Sequence, residues 1–195
     1  PAFRCGARWF RMASVSPTGS ASRMQSAWPA SAQSTAWSIR PSSRATVSRA
    51  AIRDDTRVLW IANPNNPTGT FLPWPEIEAF LDTVPPQVLV VLDEAYGEYL
   101  PPAERCDTAA WLARFPNLLI SRTFSKAYGL AGLRIGYGLG SADVIDLLNR
   151  VRHPFNVNAP AMAAAEAALD DTDFLDRSYA LNSAGMAQLV AGLAE

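Results

Sequence analysis

Residues 87–99 read QVLVVLDEAYGEY, and the fold is decided by how that stretch begins and how it ends. Residues 87–92 are apolar on nearly every position, which marks a strand covered on both faces, as strands of parallel sheets are. The run then breaks at Asp93 and Tyr96, polar groups that a turn does not require. Upstream, residues 57–62 (RVLWIA) form another apolar run, closed by the turn formers NPNNPTG at 63–69. Between the two, residues 73–84 read as a helix. Pro75 suits a first turn, Glu76 and Glu78 suit its positive end, and Ile77, Phe80 and Leu81 recur at helical spacing. Downstream, residues 108–115 read as a short helix, 117–120 open a third strand, and 134–139 (RIGYGL) are a further strand candidate. Residues 142–150, 159–169 and 173–193 read as helices. The alternation of strand and helix predicts an α/β fold, a mostly parallel sheet with helices on both faces.

Composition narrows the functional classes. The chain has 195 residues, one histidine and two cysteines, so a multi-histidine metal site and a disulfide scaffold are both excluded. An intracellular, cytoplasmic setting is the default for such cysteine usage. No apolar run approaches the roughly 20 residues of a membrane span. The net charge of −1 argues against a dedicated nucleic-acid or anionic-membrane binder.

That average conceals two segments. Residues 1–50 hold seven Arg, eleven Ser and three Trp, but no Asp, Glu, Lys or Leu, and carry +7. The remainder sets nine Arg and Lys126 against eighteen acids, for −8. Three readings compete for the first segment: an Arg- and Ser-rich transit peptide, a disordered tail, or translation of GC-rich DNA out of frame. The expected organisation is thus an anomalous segment over 1–50 and an ordered one over 51–195. Pro1 in place of a start residue, and helical sequence running to Glu195, lead to the expectation that the ordered part is truncated at both ends.

In an open parallel sheet, ligands bind beyond the carboxyl ends of the strands. Asn66 follows the first strand of this series, Asp93 and Tyr96 the next, and Lys126 the third, within SRTFSKAYG at 121–129. Each position alone fits a turn or a cap; the coincidence of three is the signal. Lys126 is the only lysine of the chain, so any lysine chemistry rests on it. Thr123 and Ser125 supply hydroxyls, and Arg134 a planar, permanently charged fork suited to a phosphate. A nucleotide site is disfavoured, because G-x-x-x-x-G-K-[ST] is absent and GYGLG at 136–140 lacks an acidic residue about 20 positions on.

NPNNPTG, DEAYGEY and SRTFSKAYGLAGLRIGY together resemble the fold-type I aminotransferases that use pyridoxal 5'-phosphate, above all those acting on histidinol phosphate. The resemblance covers about residues 52–195, with the three blocks in the family's order. It implies that Lys126 binds the cofactor aldehyde and later moves the proton at the substrate alpha carbon, both tasks of a neutral amine. Asp93 matches the partner of the pyridine nitrogen, which keeps the ring an electron sink. Asn66 and Tyr96 match the donors to the ring's phenolate oxygen. Thr123, Ser125 and Arg134 match the phosphate anchors.

The resemblance further implies a homodimer acting on a small amino donor and a keto-acid acceptor, 2-oxoglutarate, in histidine biosynthesis. A related enzyme that decarboxylates a phosphorylated amino acid shares the same cofactor residues, as does any other class I or II aminotransferase. The family's phosphate loop, stacking ring and partner-donated tyrosine precede the NPNNPTG block, and residues 1–50 hold no version of them. The odd segment thus occupies the place of missing domain, which favours the out-of-frame reading and makes the chain as written an inactive fragment.

Overall fold

A computed structural model describes residues 10–13, 36–39 and 52–194 of the chain. Six strands form one sheet: β1 (Phe10–Ala13), β2 (Ala36–Ile39), β3 (Val58–Ala62), β4 (Leu89–Asp93), β5 (Leu118–Thr123) and β6 (Ile135–Gly140). Their spatial order is β1-β6-β5-β4-β3-β2. The neighbours β2, β3, β4 and β5 run parallel, whereas β6 is antiparallel to both β5 and β1. The sheet is therefore mostly parallel, as the apolar runs imply. Outside the two edge strands, residues 1–51 and the organisation expected for them lie beyond the described residues.

Period-two alternation sorts the central strands between two layers. Leu59, Ile61, Val90, Leu92, Leu118 and Ile120 point to one side and are essentially sealed from solvent. There they meet Ile77, Phe80 and Leu81 of α1 (Trp74–Leu81) and Ala161 and Ala165 of α3 (Ala159–Asp170). Val91 and Leu119 point to the other side, against Ile145 of α2 (Ala142–Val151). The small alanines of α3 let that helix approach the core closely, which explains an Ala-rich helix with little amphipathic contrast. A last helix, α4 (Thr172–Leu193), leaves Leu181, Leu189, Val190 and Leu193 exposed.

Helix starts are capped locally. The Ser141 hydroxyl accepts from the Val144 amide, Asn158 Oδ1 from Ala161 and Asp171 Oδ1 from Phe174.

Two elements differ from expectation. Residues 108–115 form a 3-10 turn over Thr108–Ala113 and not an α-helix. The segment is short and closed by Pro116, so one tight turn is all that it completes. The return from β5 to β6 runs antiparallel because the link over 124–134 is too short for a crossover helix. It has one consequence for function: the start of β6 lies at the same edge as the ends of β3, β4 and β5.

Candidate active site

Asp93 closes β4 and is paired in register with Ser121 of β5, so both side chains project on the α2 side of the sheet. Two residues further along β5, Thr123 lies opposite Gly136 of β6. Arg134 stands immediately before β6, and Ser125 and Lys126 immediately after β5. Asp93, Thr123, Ser125, Lys126 and Arg134 line one cleft of about 330 Å³ at this edge. A second hollow of about 540 Å³ adjoins it, lined by Asn66, Tyr96, Lys126 and, from α4, Asn182 and Met186. Lys126 belongs to both. The structure thus brings together all seven residues singled out from the sequence.

Local hydrogen bonds hold these side chains. The Ala95 amide donates to Asp93 Oδ1 (3.1 Å) and the Ser125 amide to Thr123 Oγ1 (3.1 Å), each bond closing a turn at a strand end. Arg134 donates to the Ala131 carbonyl (2.9 Å) and is otherwise exposed on the cleft rim. Its backbone is left-handed, at φ 54. Asn66 Nδ2 donates to Tyr96 Oη (2.9 Å), joining the turn after β3 to the turn after β4. Lys126 Nζ lies 5.2 Å from the centre of the Tyr96 ring, where the aromatic face attracts a cation.

The turn that presents Asn66 is fixed from beneath. Buried Asn63 donates to the Leu72 carbonyl (3.1 Å) and accepts from the Leu72 amide (2.8 Å), while its own amide donates to the Asp93 carbonyl (2.9 Å). Both Asn–Pro bonds of the turn, at 63–64 and 66–67, are cis. Asn65 donates to Thr68 Oγ1 (2.6 Å), which leaves Asn66 facing outward.

A buried polar cluster on the opposite face of the same strand ends was not anticipated. Arg122 Nε donates to Glu94 Oε2 (2.8 Å), and Thr108 Oγ1 donates to Glu94 Oε1 (2.5 Å). Arg122 also reaches Thr108 Oγ1 (3.2 Å) and hydrogen-bonds Tyr137. Burial pushes the Glu94 carboxyl up from its ordinary range, against the pull of Arg122 and Thr108. Burial would lower the Arg122 pKa, but Glu94 and Tyr137 outweigh it and the guanidinium stays charged. Alternation was the available signal: Glu94 follows Leu92 by two and Arg122 follows Ile120 by two, so both fall on the core side.

The chemistry of the cleft is consistent. A carboxylate, an accessible primary amine, hydroxyls and a guanidinium converge at one sheet edge, a donor set that fits a phosphorylated, aldehyde-bearing pyridine. The pattern matches a family model, Aminotransferase class I and II, over residues 39–195. The chain belongs to that family.

Among its relatives, histidinol-phosphate aminotransferase 1 of Thiobacillus denitrificans (strain ATCC 25259 / T1) is 86% identical over 146 residues, 75% of this chain and 38% of that protein. A solved histidinol-phosphate aminotransferase from Sinorhizobium meliloti, in complex with pyridoxal-5'-phosphate, is 39% identical with a TM-score of 0.60, over 65% of this chain and 34% of the other. The L-threonine-O-3-phosphate decarboxylase of Porphyromonas gingivalis is 30% identical with a TM-score of 0.60, over 68% of this chain and 40% of the other. The chain spans about two fifths of the length of the relatives it matches.

Proposed function

We propose that residues 51–195 are the cofactor-binding part of a pyridoxal-phosphate-dependent aminotransferase that acts on histidinol phosphate and 2-oxoglutarate in histidine biosynthesis. The observation that carries this reading is the placement of the single lysine, Lys126, in one cleft with Asp93, Thr123 and Arg134. The high identity to a histidinol-phosphate aminotransferase supports the choice of substrate.

When bound, pyridoxal phosphate supplies an electron-withdrawing ring that stabilises negative charge at the substrate alpha carbon. The protein supplies the rest. Asp93 would hold the pyridine nitrogen and keep it protonated through a charge-assisted hydrogen bond. The Lys126 amine would hold the aldehyde-bearing end of the cofactor and would carry the proton at the substrate alpha carbon. Asn66 and Tyr96, joined by a 2.9 Å hydrogen bond, would hold the ring on the side of its phenolate oxygen. Thr123, Ser125 and Arg134 anchor the phosphate. The working unit is a homodimer in the cytoplasm.

A second reading is favoured by the likeness to a phosphothreonine decarboxylase: the same cofactor residues serving loss of carbon dioxide. An enzyme of the relatives' full length carrying residues 52–195 separates the two. With histidinol phosphate and 2-oxoglutarate it should form glutamate. Release of carbon dioxide from a phosphorylated amino acid, without glutamate, would replace transamination by decarboxylation.

A further inference from the structure

Asp93 and Thr123 are useful only if the ends of β4 and β5 are held at fixed height. Past the strand ladders, backbone bonds tie these ends through Asn63 N–H to the Asp93 carbonyl, Glu94 N–H to the Ser121 carbonyl, and Phe124 N–H to the Ile135 carbonyl. On the face away from the cleft, these ends are joined by side chains. Glu94 stands one residue past β4 and is only 5% exposed; Arg122 lies in β5, opposite Tyr137 of β6. Thr108, fully buried in the β4–β5 connection, completes the cluster from above the sheet.

One ion pair therefore ties three strands and a connection at the level of the cleft floor. Each of its residues is the chain neighbour of a cleft residue: Glu94 follows Asp93, and Arg122 precedes Thr123. Successive side chains in a strand point to opposite faces but share one backbone, so a displacement of the backbone at Glu94 or Arg122 also displaces Asp93 or Thr123.

We propose that Glu94 and Arg122 are positioning residues of the cofactor site. Their ion pair, completed by Thr108 and Tyr137, fixes Asp93 and Thr123 against Lys126 from the reverse face of the sheet. The pair makes no hydrogen bond to Lys126 or to the Asp93 carboxylate, although Arg122 borders the cleft beside Thr123; it acts through the backbone. It rests on the reading of the cleft as a pyridoxal-phosphate site. A buried pair of this kind need not stabilise the fold, since apolar replacement of both partners is often neutral, whereas loss of one partner strands a charge. That difference permits a clean test.

Two variants of the 195-residue chain are compared with the parent: Arg122→Lys, which keeps charge but loses the fork, and the double variant Glu94→Met with Arg122→Met. Thermal melting, amide hydrogen exchange, and labelling of Lys126 by pyridoxal phosphate with borohydride are read on each. A positioning role predicts melting close to the parent and about tenfold faster exchange at the Ala95 and Ser125 amides, which hold Asp93 and Thr123. It also predicts a half-saturating cofactor concentration raised by about tenfold. Parent-like exchange and labelling in a variant that melts like the parent would overturn the proposal. So would a uniform rise in exchange across the sheet, which would make the pair a general stabiliser. If the parent itself is not labelled, the cofactor reading falls, while local exchange at Ala95 and Ser125 still decides whether the pair positions those residues.

Discussion

Arg134 holds a left-handed backbone at φ 54, which costs a residue bearing a Cβ roughly 1 kcal/mol, and it offers its guanidinium at the cleft rim. Strain retained at a site is explained when the side chain is needed there. Replacing Arg134 by Gly should thus separate the two terms. Urea unfolding should show stability unchanged or raised by up to about 1 kcal/mol, while the cofactor concentration needed to label Lys126 rises about tenfold. A stability loss without an affinity loss would make Arg134 structural. Glu98 bears a different residue-level prediction. Burial raises its carboxyl above the usual 4.5, countered by its backbone hydrogen bond and Arg122 and reinforced by Glu94. A raised folded value means that the unfolded chain ionises first. The contribution of Glu98 to stability is therefore fully present below about 4.5 and is lost as pH rises through the raised value. Glu98→Gln should flatten the fall in melting temperature over that interval, and an equal fall in both proteins would exclude Glu98 as its source.

Gly136 decides how β6 meets β5. A Cβ there would stand 2.8 Å from the Arg122 carbonyl oxygen, a backbone atom that cannot turn aside. Gly136→Ala should push the strands apart and cost about 1–3 kcal/mol in urea unfolding, with loss of cofactor labelling, since Thr123 and Arg134 flank the displaced pair. Ordinary stability in that variant would show that the register at Thr123–Gly136 tolerates movement. The same elements show what sequence conveys. β3, β4 and β5 were legible because each is an apolar run ended by turn formers, and α1 because Pro75, Glu76 and Ile77 agree on its start. The direction of β6 was not legible: RIGYGL reads as a strand either way, and only the shortness of its link forces the antiparallel return. The seven cleft residues were legible through their position at strand ends and through the resemblance. Glu94 and Arg122 were missed because each stands beside a more conspicuous neighbour, and their meeting depends on strand register that the sequence does not display.

At the scale of the molecule, the described residues carry one side of the candidate site. The resemblance places the phosphate loop, the stacking ring and the partner-donated tyrosine outside residues 52–195, and the chain spans 38% of its 86%-identical relative. On the proposed reading, a cofactor held from this side alone would stay solvated, which would weaken the attraction of Asp93 for a pyridinium several-fold by the ratio of effective dielectrics. The 195-residue chain should accordingly show no transamination above buffer, by glutamate formation from histidinol phosphate and 2-oxoglutarate; turnover would show that these residues suffice. Covalent capture is less demanding than turnover, and with one lysine in the chain peptide mapping separates its label from any on the N-terminal amine. The folded chain, treated with pyridoxal phosphate and borohydride and mapped by peptide mass spectrometry, should carry the label on Lys126 at a half-saturating concentration at least about tenfold below that of the urea-unfolded chain. Labelling of Lys126 with the same concentration dependence in both states would contradict the account, because the cleft would then contribute nothing to holding the cofactor.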